Sequence, residues 1–329
     1  MTPRLMPTVL LTGCAAIAQA QAPAASPSST AFPTRPITMV VPFAPGGIAD
    51  ITGRPLAQAM SRVLGQPIVI ENRPGASGNV AADVTARSAA DGYTLLMGNV
   101  SLTISAHLPP KPQFDVASDL EPVGMVASLP LMLVVQAGVP VHSIKELVEY
   151  ARARPGLLNY ASVGPGSAHH LSGELLSSLS GARMVHVPYK GGGDAIKALL
   201  AQEAHLLFLT PLALMPHVRA GKLRALGVTS SKRTQAAPEV PTIAEAGLAG
   251  FDVDNWHTVF APKGTPRDVV VRLNTELNRV LNLPEVRQQL LAQQGAEVWP
   301  SAPQEAQAHV RAELDKWGRI VREAGVKLQ

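Results

Sequence analysis

The chain has 329 residues, of which 46% are hydrophobic, 16% charged and 4% aromatic, and its formal net charge is +4 at pH 7. Its length and apolar content allow one large hydrophobic core or two medium ones, and they exclude general disorder apart from the chain ends. Aromatic residues are few and basic residues are scattered, the longest cluster being residues 231–233, so a nucleic-acid-binding surface is not expected and only a weak preference for anionic ligands is indicated.

The first 20 residues have the features of a signal peptide. Arg4 precedes an apolar run over residues 5–18 that is too short to span a bilayer, and Ala18-Gln19-Ala20 supplies a small-x-small cleavage site. Residues 21–32 then form a tether rich in Pro, Ser and Ala. We therefore expect export to the periplasm.

A second interpretation of the N-terminus stays open. Residues 11–14 resemble a bacterial lipobox, which would leave a lipid on Cys14. We favour cleavage after Ala20, because a lipoprotein signal that ends at residue 13 is unusually short. Cys14 is the only cysteine, so the cleaved protein would have no disulfide, thiolate metal site or cysteine nucleophile.

Strand-like and helix-like segments alternate along the rest of the chain. The predicted strands are short continuous apolar runs, which is typical of strands covered on both faces: 37–43, 67–72, 93–98, 131–136, 158–163, 184–189, 206–209 and 223–228. This order predicts an α/β fold with a mostly parallel sheet flanked by helices.

Several helix ends are readable. Ser143 and Glu146 form a capping box, and Thr265-Pro266 predicts an N-cap followed by the first helical residue. Pro284 and Gly295 bracket the next helix, and Ser301 with Gln304 starts the last one.

Two loop-rich passages, at residues 118–130 and 239–255, favour two lobes over one large sheet. Each lobe would then have the usual size of a domain. The predicted division is 33–130 for the first part of lobe 1, 131–253 for lobe 2 and 254–329 for the part of the chain that returns to lobe 1.

The stretch VPFAPGGIAD, residues 41–50, joins the first strand to a helix. Gly46 and Gly47 leave backbone amides unshielded beside the positive end of that helix, which is typical of an anion site. A tight turn with Asp50 in the first helical turn fits the same residues equally well. No Gly-Lys-Ser/Thr follows, which excludes a P-loop, and no Ser or Cys occupies the turn, which excludes a nucleophile elbow.

A second glycine loop runs from Ser162 to His170 and follows a predicted strand. Gly164-x-Gly166 approaches a dinucleotide fingerprint, but His169 stands in place of the third glycine and no acidic residue ends the next strand. Adjacent histidines on a helix diverge by about 100°, so His169 and His170 do not predict a metal site. Ser167 is either an N-cap or a ligand contact.

A third loop, residues 187–194, leads into a helix through Lys190 and the glycines 191–193. Its amides are also open to an anion, to which Lys190 would add a positive charge. An exposed lysine in a turn is usually only solvated, so this role is weakly indicated.

Taken in order, these segments resemble the substrate-binding proteins of tripartite tricarboxylate transporters, the Bug family. The resemblance spans nearly the whole mature chain and rests on these pieces: RPITMVVPFAPGG, GQPIVIENRPGASGN, DGYTLLMGN, LNYASVGPGS, VHVPYKGGG, AGKLRALGVTS, PTIAEAGLAGF and APKGTP. It implies a periplasmic binding protein fold of type II, with a small organic carboxylate held between two lobes by backbone amides and ordered waters. The positions that match the ligand-binding residues of the family are Phe43, Ala44, Gly46, Gly47, Asp50, Ser162, Gly164, Gly166, Ser167, His169, Thr210 and Trp256.

Two departures from the family concern the loops. Ile48-Ala49 stands where many relatives have Gly-Thr, so a hydroxyl near the first ligand carboxylate is missing. Ala168-His169 replaces small hydroxyl residues, so side-chain hydrogen bonds to the far end of the ligand differ here. The resemblance implies a monomeric binding protein without cofactor or metal, which delivers its ligand to a membrane transporter or sensor. Two alternatives are an exported α/β hydrolase or transferase that uses Ser167 and His170, and a nucleotide-binding protein.

Overall fold

The structure is a computed structural model that describes residues 32–324, with side chains up to residue 322. The predicted signal peptide, Cys14 and residues 21–31 of the predicted tether lie outside these residues. Phe32, the last residue of that tether, packs edge-on against Tyr93 with 5.0 Å between the ring centroids. No helix within the described part of the chain combines the length and apolarity needed to cross a membrane.

The strands and helices alternate as the sequence predicts. The strands are β1 (Ile37–Val41), β2 (Ile68–Asn72), β3 (Thr94–Asn99), β4 (Leu120–Ser128), β5 (Met132–Gln136), β6 (Asn159–Ser162), β7 (Val185–Pro188), β8 (Leu206–Leu209), β9 (Leu223–Val228), β10 (His257–Pro262) and β11 (Glu297–Val298). The helices are α1 (Ile48–Leu64), α2 (Asn79–Ala86), α3 (Val100–Ser105), α4 (Ile144–Ala153), α5 (Ala168–Ser180), α6 (Gly192–Leu200), α7 (Pro211–Arg219), α8 (Arg267–Leu281), α9 (Pro284–Gln294) and α10 (Pro303–Ala324).

These strands form two sheets. The first has the order β11-β4-β10-β3-β1-β2 and the second the order β7-β6-β8-β5-β9. Helices α1, α2, α8 and α10 pack against the first sheet, and α5, α6 and α7 pack against the second. One continuous cluster of buried side chains runs through both sheets and includes Tyr160, Phe208, Trp256 and Trp317. The predicted α/β fold class is confirmed.

The predicted parallel character of the sheets needs correction, because both sheets are mixed. In the first sheet β1 pairs in parallel with β2 and β3, whereas β10 and β4 run antiparallel to their neighbours. In the second sheet β6 is parallel to β7 and β8, whereas β5 is antiparallel to β8 and β9. Strand β4 occupies the passage predicted to be rich in loops, and β10 was absent from the predicted strands.

The chain passes between the sheets twice, and the two passages are paired. Pro130 and Asp254 form an antiparallel bridge, and the Leu129 N–H donates to Asp254 Oδ1 at 3.2 Å. The N–H of Val253 donates to the carbonyl of Thr229 at 2.8 Å, which ties the return passage to the second sheet. The predicted lobe boundaries at residues 130 and 253 stay a prediction.

Most of the predicted helix ends are observed. Ser143 Oγ accepts from the Glu146 N–H at 3.1 Å, and Glu146 Oε2 accepts from the N–H of His142, one residue before the N-cap, at 2.7 Å. Gly295 caps α9 with a φ of 68°, in the left-handed region that favours glycine. Helix α8 differs, because its N-cap is Pro266 and not Thr265, whose hydroxyl donates to the carbonyl of Pro262.

We expect Gly173→Ala to lower the free energy of unfolding by about 1–3 kcal/mol. A Cβ at Gly173 in α5 would lie 2.3–2.7 Å from three ring atoms of Tyr160, which is fully buried. Urea denaturation followed by circular dichroism measures this loss. Gly193→Ala in α6 is the matched control, because no atom of the described residues lies within 4 Å of its added Cβ. Equal stability of the two variants would contradict the expected clash.

Candidate ligand-binding site

A cavity of about 840 Å³ lies where the carboxyl ends of strands from both sheets meet, a size typical of small-molecule sites. The first sheet contributes the ends of β1 and β3 and the start of β10, and the second contributes the ends of β6, β7 and β8. It is lined by Phe43, Ala44, Gly46–Ala49, Ile51, Ser77, Asn99, Ser101, Val163–Pro165, Ser167–His169, Lys190–Gly193, Ile196, Leu209, Thr210, Ala213, Asn255 and His257. The three glycine loops singled out in the sequence therefore meet at one place.

Asp50 lies beneath the first loop and not in the cavity wall. Its Oδ2 accepts from the Gly46 N–H at 2.9 Å and from Arg54 Nε at 2.8 Å. Its Oδ1 accepts from Asn72 Nδ2 at 2.9 Å, and the same amide donates to the Phe43 carbonyl. Burial opposes ionisation of the Asp50 carboxyl, but these hydrogen bonds and the charge of Arg54 hold its pKa below the usual value. Asp50 thus anchors the loop through its carboxylate.

The amides of the two loop glycines are occupied, which agrees with the predicted tight turn and contradicts the alternative in which these two amides are open to an anion. The Gly46 N–H donates to Asp50, and the Gly47 N–H donates to the Ala44 carbonyl at 3.1 Å. The glycines instead shape the turn, since Gly46 has a φ of 81°. Helix α1 then begins without a side-chain cap, so the N–H groups of its first turn, Ile48 and Ala49, are left for solvent or a ligand.

The second loop is also held by internal hydrogen bonds. The Gly164 N–H donates to Ser162 Oγ at 3.0 Å, and the Gly166 N–H donates to His170 Nδ1 at 3.2 Å. Ser167 is the N-cap of α5, since its Oγ accepts from the His170 N–H at 3.3 Å, and the same hydroxyl donates to the Gly164 carbonyl at 2.7 Å. Ser167 and Gly164 still line the cavity, whereas Ser162 and Gly166 do not.

A stack of histidines supports this loop from behind. His170 and His186 lie 3.9 Å apart between ring centroids, and Ser162 Oγ lies 2.6 Å from His186 Nε2. Burial, followed by the neighbouring His186, lowers the pKa of His170 to about 3, and burial lowers the pKa of His186 to about 4. Both rings are therefore neutral at pH 7 and serve as hydrogen-bonding groups.

His169 lines the cavity from the first turn of α5 and is only 4% exposed. Within the described chain, neither of its ring nitrogens has a hydrogen-bond partner. Burial lowers the pKa of His169 to about 4, so the ring is neutral at pH 7. A buried polar atom without a partner costs about 1–3 kcal/mol, so this side chain is arranged for a partner that the protein itself does not supply.

The opposite wall carries polar groups that the sequence reasoning missed. Ser77, Asn99, Ser101, Asn255 and His257 all line the cavity. His257 Nδ1 lies 3.2 Å from Thr52 Oγ1, and burial lowers the pKa of His257 to about 4. Asn99 is the last residue of β3 and Ser101 lies in the first turn of α3, so the rule that ligands bind at the carboxyl ends of strands would have found them.

Ser77 connects the two walls at the cavity rim. Its Oγ donates to the Pro165 carbonyl of the second loop at 3.2 Å, although the two residues are 88 positions apart. Ser77 has a φ of 55°, which is unusual for a residue other than glycine. A hydrogen bond therefore links the loop after β2 to the loop after β6 across the cavity.

Of the two remaining predicted ligand-binding residues, one lines the cavity and the other does not. Thr210 lines the cavity at the N-cap position of α7, where its side chain makes no capping hydrogen bond. Trp256 does not line the cavity, because it is fully buried and its Nε1 donates to Glu313 Oε2 of α10 at 3.1 Å. Trp256, Asp50, Ser162 and Gly166 are therefore placed as supports of the site and not in its wall. Direct ligand contact by the residues that do line the cavity stays a prediction.

The cavity lining has a net positive charge. Lys190, which is exposed, carries the only full charge among the lining residues, which include no carboxylate. Helix α6 starts beside it at Gly192 without a side-chain cap. An uncapped helix start next to a lysine gives the cavity a positive potential, which favours anions.

The two alternative functions find little support in this geometry. The side chains of Ser167 and His170 are not hydrogen-bonded to each other, since Ser167 Oγ bonds the backbone of Gly164 and His170. A nucleophile activated by an imidazole base needs that bond. A dinucleotide loop needs open glycine amides, and those of Gly164 and Gly166 are occupied. Among residues 32–324 no group of three or more His, Cys, Asp or Glu side chains is arranged to hold a metal ion.

Comparison with known proteins identifies the family of the chain. A family model described as "Tripartite tricarboxylate transporter family receptor" matches residues 52–326. The protein BugT of Bordetella pertussis is 40% identical over 308 residues, which cover 93% of this chain and 94% of BugT.

Two solved structures are similar over nearly the whole chain. The periplasmic binding protein BugD is 35% identical with a TM-score of 0.77, and the match covers 91% of this chain and 100% of BugD. A protein of R. palustris, determined with adipate, is 38% identical with a TM-score of 0.79, and the match covers 90% of this chain and 99% of that protein. The family is one of receptors, so the predicted binding protein, as opposed to an enzyme, is confirmed. This chain belongs to the tripartite tricarboxylate transporter receptors, the Bug family.

Proposed function

We propose that this protein captures a small organic carboxylate in the cavity between its two sheets and delivers it to a membrane transporter or sensor. One observation carries the proposal: the uncapped starts of α1 and α6 meet at a cavity whose lining contains Lys190 and no carboxylate. Backbone N–H groups at a helix start hold an anion without an arginine, because the helix dipole adds to their hydrogen bonds.

The two walls have separate roles in this proposal. One ligand carboxylate is held by the first-turn N–H groups of α1, at Ile48 and Ala49, on the side of the first sheet. The rest of the ligand faces the second loop, Lys190 and the start of α6. The adipate bound to the R. palustris relative is a dicarboxylate, which supports a ligand with acidic groups at both ends.

The same proposal includes the division into two lobes, their closure on the ligand and the export of the protein. Residues 33–130 with 254–329 form one lobe and residues 131–253 the other, and they close on the ligand about the paired passages at Pro130 and Asp254. The protein is exported by a signal cleaved after Ala20, binds as a monomer and requires no cofactor. The mass of the exported protein distinguishes this cleavage from a lipid on Cys14.

We expect carboxylates to raise the melting temperature without being consumed. Binding to the folded state adds RT ln(1 + [L]/Kd), which is about 2.7 kcal/mol at a ligand concentration 100 times Kd, or several degrees for a chain of this size. The measurement is a thermal-shift screen of mono-, di- and tricarboxylates, with the corresponding amides as uncharged controls.

Native mass spectrometry of protein purified without added ligand selects the first compounds to test. Nuclear magnetic resonance of the ligand after prolonged incubation checks for turnover. A full carboxylate panel that left the melting temperature unchanged would contradict the proposal, and so would steady conversion of a bound carboxylate to product.

A further inference from the structure

His169 differs from the histidines that surround it. Among residues 32–324, its Nδ1 and Nε2 are both buried and without a hydrogen-bond partner, and the residue lines the cavity. His107 and His309 each also have one unpartnered nitrogen, but neither of them lines the cavity. His170, by contrast, accepts from the Gly166 N–H. Within the described part of the chain, His169 is therefore the residue that combines a place in the cavity lining with two unpartnered ring nitrogens.

The ionisable groups near α5 are engaged elsewhere. Tyr160 of β6 bonds Glu174, and His186 of β7 stacks on His170; none of these side chains lines the cavity. Strand β8 has the sequence LLFL and no ionisable group. Helix α10 also packs against α5, and its buried Glu313 pairs with Lys316 and accepts from Trp256.

Besides His169, the titratable groups that line the cavity are Lys190 on the same wall and His257 on the opposite wall. Neither can serve as a counter-ion for a protonated His169, because one is cationic and the other is a buried imidazole. Burial alone lowers the pKa of His169, and no charged group of the protein contributes to that shift among the described residues. An imidazolium at this position therefore needs its negative partner from the ligand.

We propose that His169 binds the second acidic group of a diacid and takes up a proton as the ligand binds. This inference rests on the proposed function, with the first acidic group held at the start of α1. On binding, one proton from solvent joins the neutral imidazole, and the resulting imidazolium pairs with the ligand carboxylate. The second carboxylate then lies against a wall whose positive side chains are the protonated His169 and the exposed Lys190.

This coupling has a defined sign. A complex that holds one more proton than the free protein and ligand becomes tighter as the pH falls, by up to about tenfold per pH unit. The relevant range is roughly pH 6–8, because the carboxylates of the ligand are still ionised there. A monoacid that leaves His169 without a partner binds with no proton uptake in this range.

The test is isothermal titration calorimetry of the full mature protein in buffers of different ionisation enthalpy. Adipate is the diacid probe and hexanoate the monoacid of equal carbon number, each titrated at about pH 6, 7 and 8. We expect uptake near one proton for adipate around neutral pH, a Kd at least about tenfold lower at pH 6 than at pH 8, and no uptake for hexanoate. In His169→Gln, which keeps a neutral hydrogen-bonding side chain, uptake and pH dependence should disappear.

The control variant is His142→Gln, which removes an exposed histidine and should leave the proton uptake unchanged. Asp254, whose pKa burial raises to about 7, also titrates in this range, but it is the same in every variant. The difference between wild type and His169→Gln therefore isolates His169. If His169→Gln does not fold, nitrogen chemical shifts of the imidazole in the wild-type complex report the same protonation.

The outcomes separate the two proposals. Adipate binding without proton uptake, or equal uptake in His169→Gln, overturns the role of His169 and leaves the proposed function intact. Uptake with hexanoate equal to that with adipate overturns the assignment to a second acidic group. If no carboxylate of the panel binds at all, the proposed function fails, and this inference fails with it.

Discussion

Asp50→Ala should weaken carboxylate binding by at least about tenfold and lower the free energy of unfolding by about 3 kcal/mol. The side chain is 3% exposed and accepts hydrogen bonds from Gly46, Arg54 and Asn72. Its loss leaves the Gly46 N–H without a partner and frees the turn that positions the first N–H groups of α1. Binding falls because the loop is no longer held in the geometry that presents those groups to a ligand.

Two measurements decide whether Asp50 anchors the loop or contacts the ligand. Calorimetry gives Kd for adipate, and urea denaturation gives the stability of the free protein. An anchor predicts that both quantities decline together, and that Asp50→Asn, which keeps the size and one acceptor oxygen, loses less of each. A direct contact predicts a change in Kd at unchanged stability, which would contradict the anchoring role.

Asp194→Ala provides a matched control. Asp194 is the third residue of α6, as Asp50 is of α1, but its side chain is 53% exposed, and among the described residues its one side-chain partner is Lys197. A surface ion pair of this kind contributes about 0–1 kcal/mol. Stability losses of equal size at Asp50 and Asp194 would show that a charge at a helix start, and not the buried network, accounts for the effect.

Glu313→Ala should lower the free energy of unfolding by about 3–5 kcal/mol. Glu313 is 5% exposed, and its Oε2 accepts from Trp256 Nε1 at 3.1 Å and from Trp317 Nε1 at 3.0 Å. It also pairs with Lys316. Alanine leaves two buried indole N–H groups without an acceptor at the point where the chain returns to the first sheet.

Urea denaturation monitored by tryptophan fluorescence measures this loss. Glu313→Gln keeps one oxygen acceptor and should lose less than the alanine variant. Asp315→Ala, an exposed position on the same helix, serves as the surface control and should change stability by no more than about 0.5 kcal/mol. A loss below about 1 kcal/mol in Glu313→Ala would contradict the importance of the shared acceptor.

Local features of the fold are readable in the sequence, because neighbouring residues determine them. The runs 206–209 and 223–228 coincide with β8 and β9, since continuous apolar residues favour a buried strand whatever its partners are. Ser143, Ser167 and Gly295 act as the predicted caps, because a cap depends on atoms within a few residues. The second and third loops lie side by side because β6 and β7 are parallel neighbours whose carboxyl ends share an edge of the second sheet, and the first loop reaches the same cavity from the first sheet.

Strand β4 could not be predicted from the local sequence. Its sequence LEPVGMVAS contains a proline and a glycine, which favour a loop, and tertiary pairing with β10 overrides that preference. The mixed direction of both sheets follows from such pairings between distant segments. The order of strands in a sheet is likewise a property of contacts across the chain.

The sequence by itself determined the family, the alternation of strands and helices, and which loops line the cavity, because these depend on short-range patterns and on an ordered set of motifs. Only the tertiary structure decided which groups in those loops are available. It directs the Gly46 amide to Asp50, buries Trp256 on Glu313, and leaves the ring nitrogens of His169 without a hydrogen-bond partner in the described part of the chain. Each of these outcomes depends on whether a polar atom lies within hydrogen-bonding distance of another, and packing between separate helices and strands determines those distances.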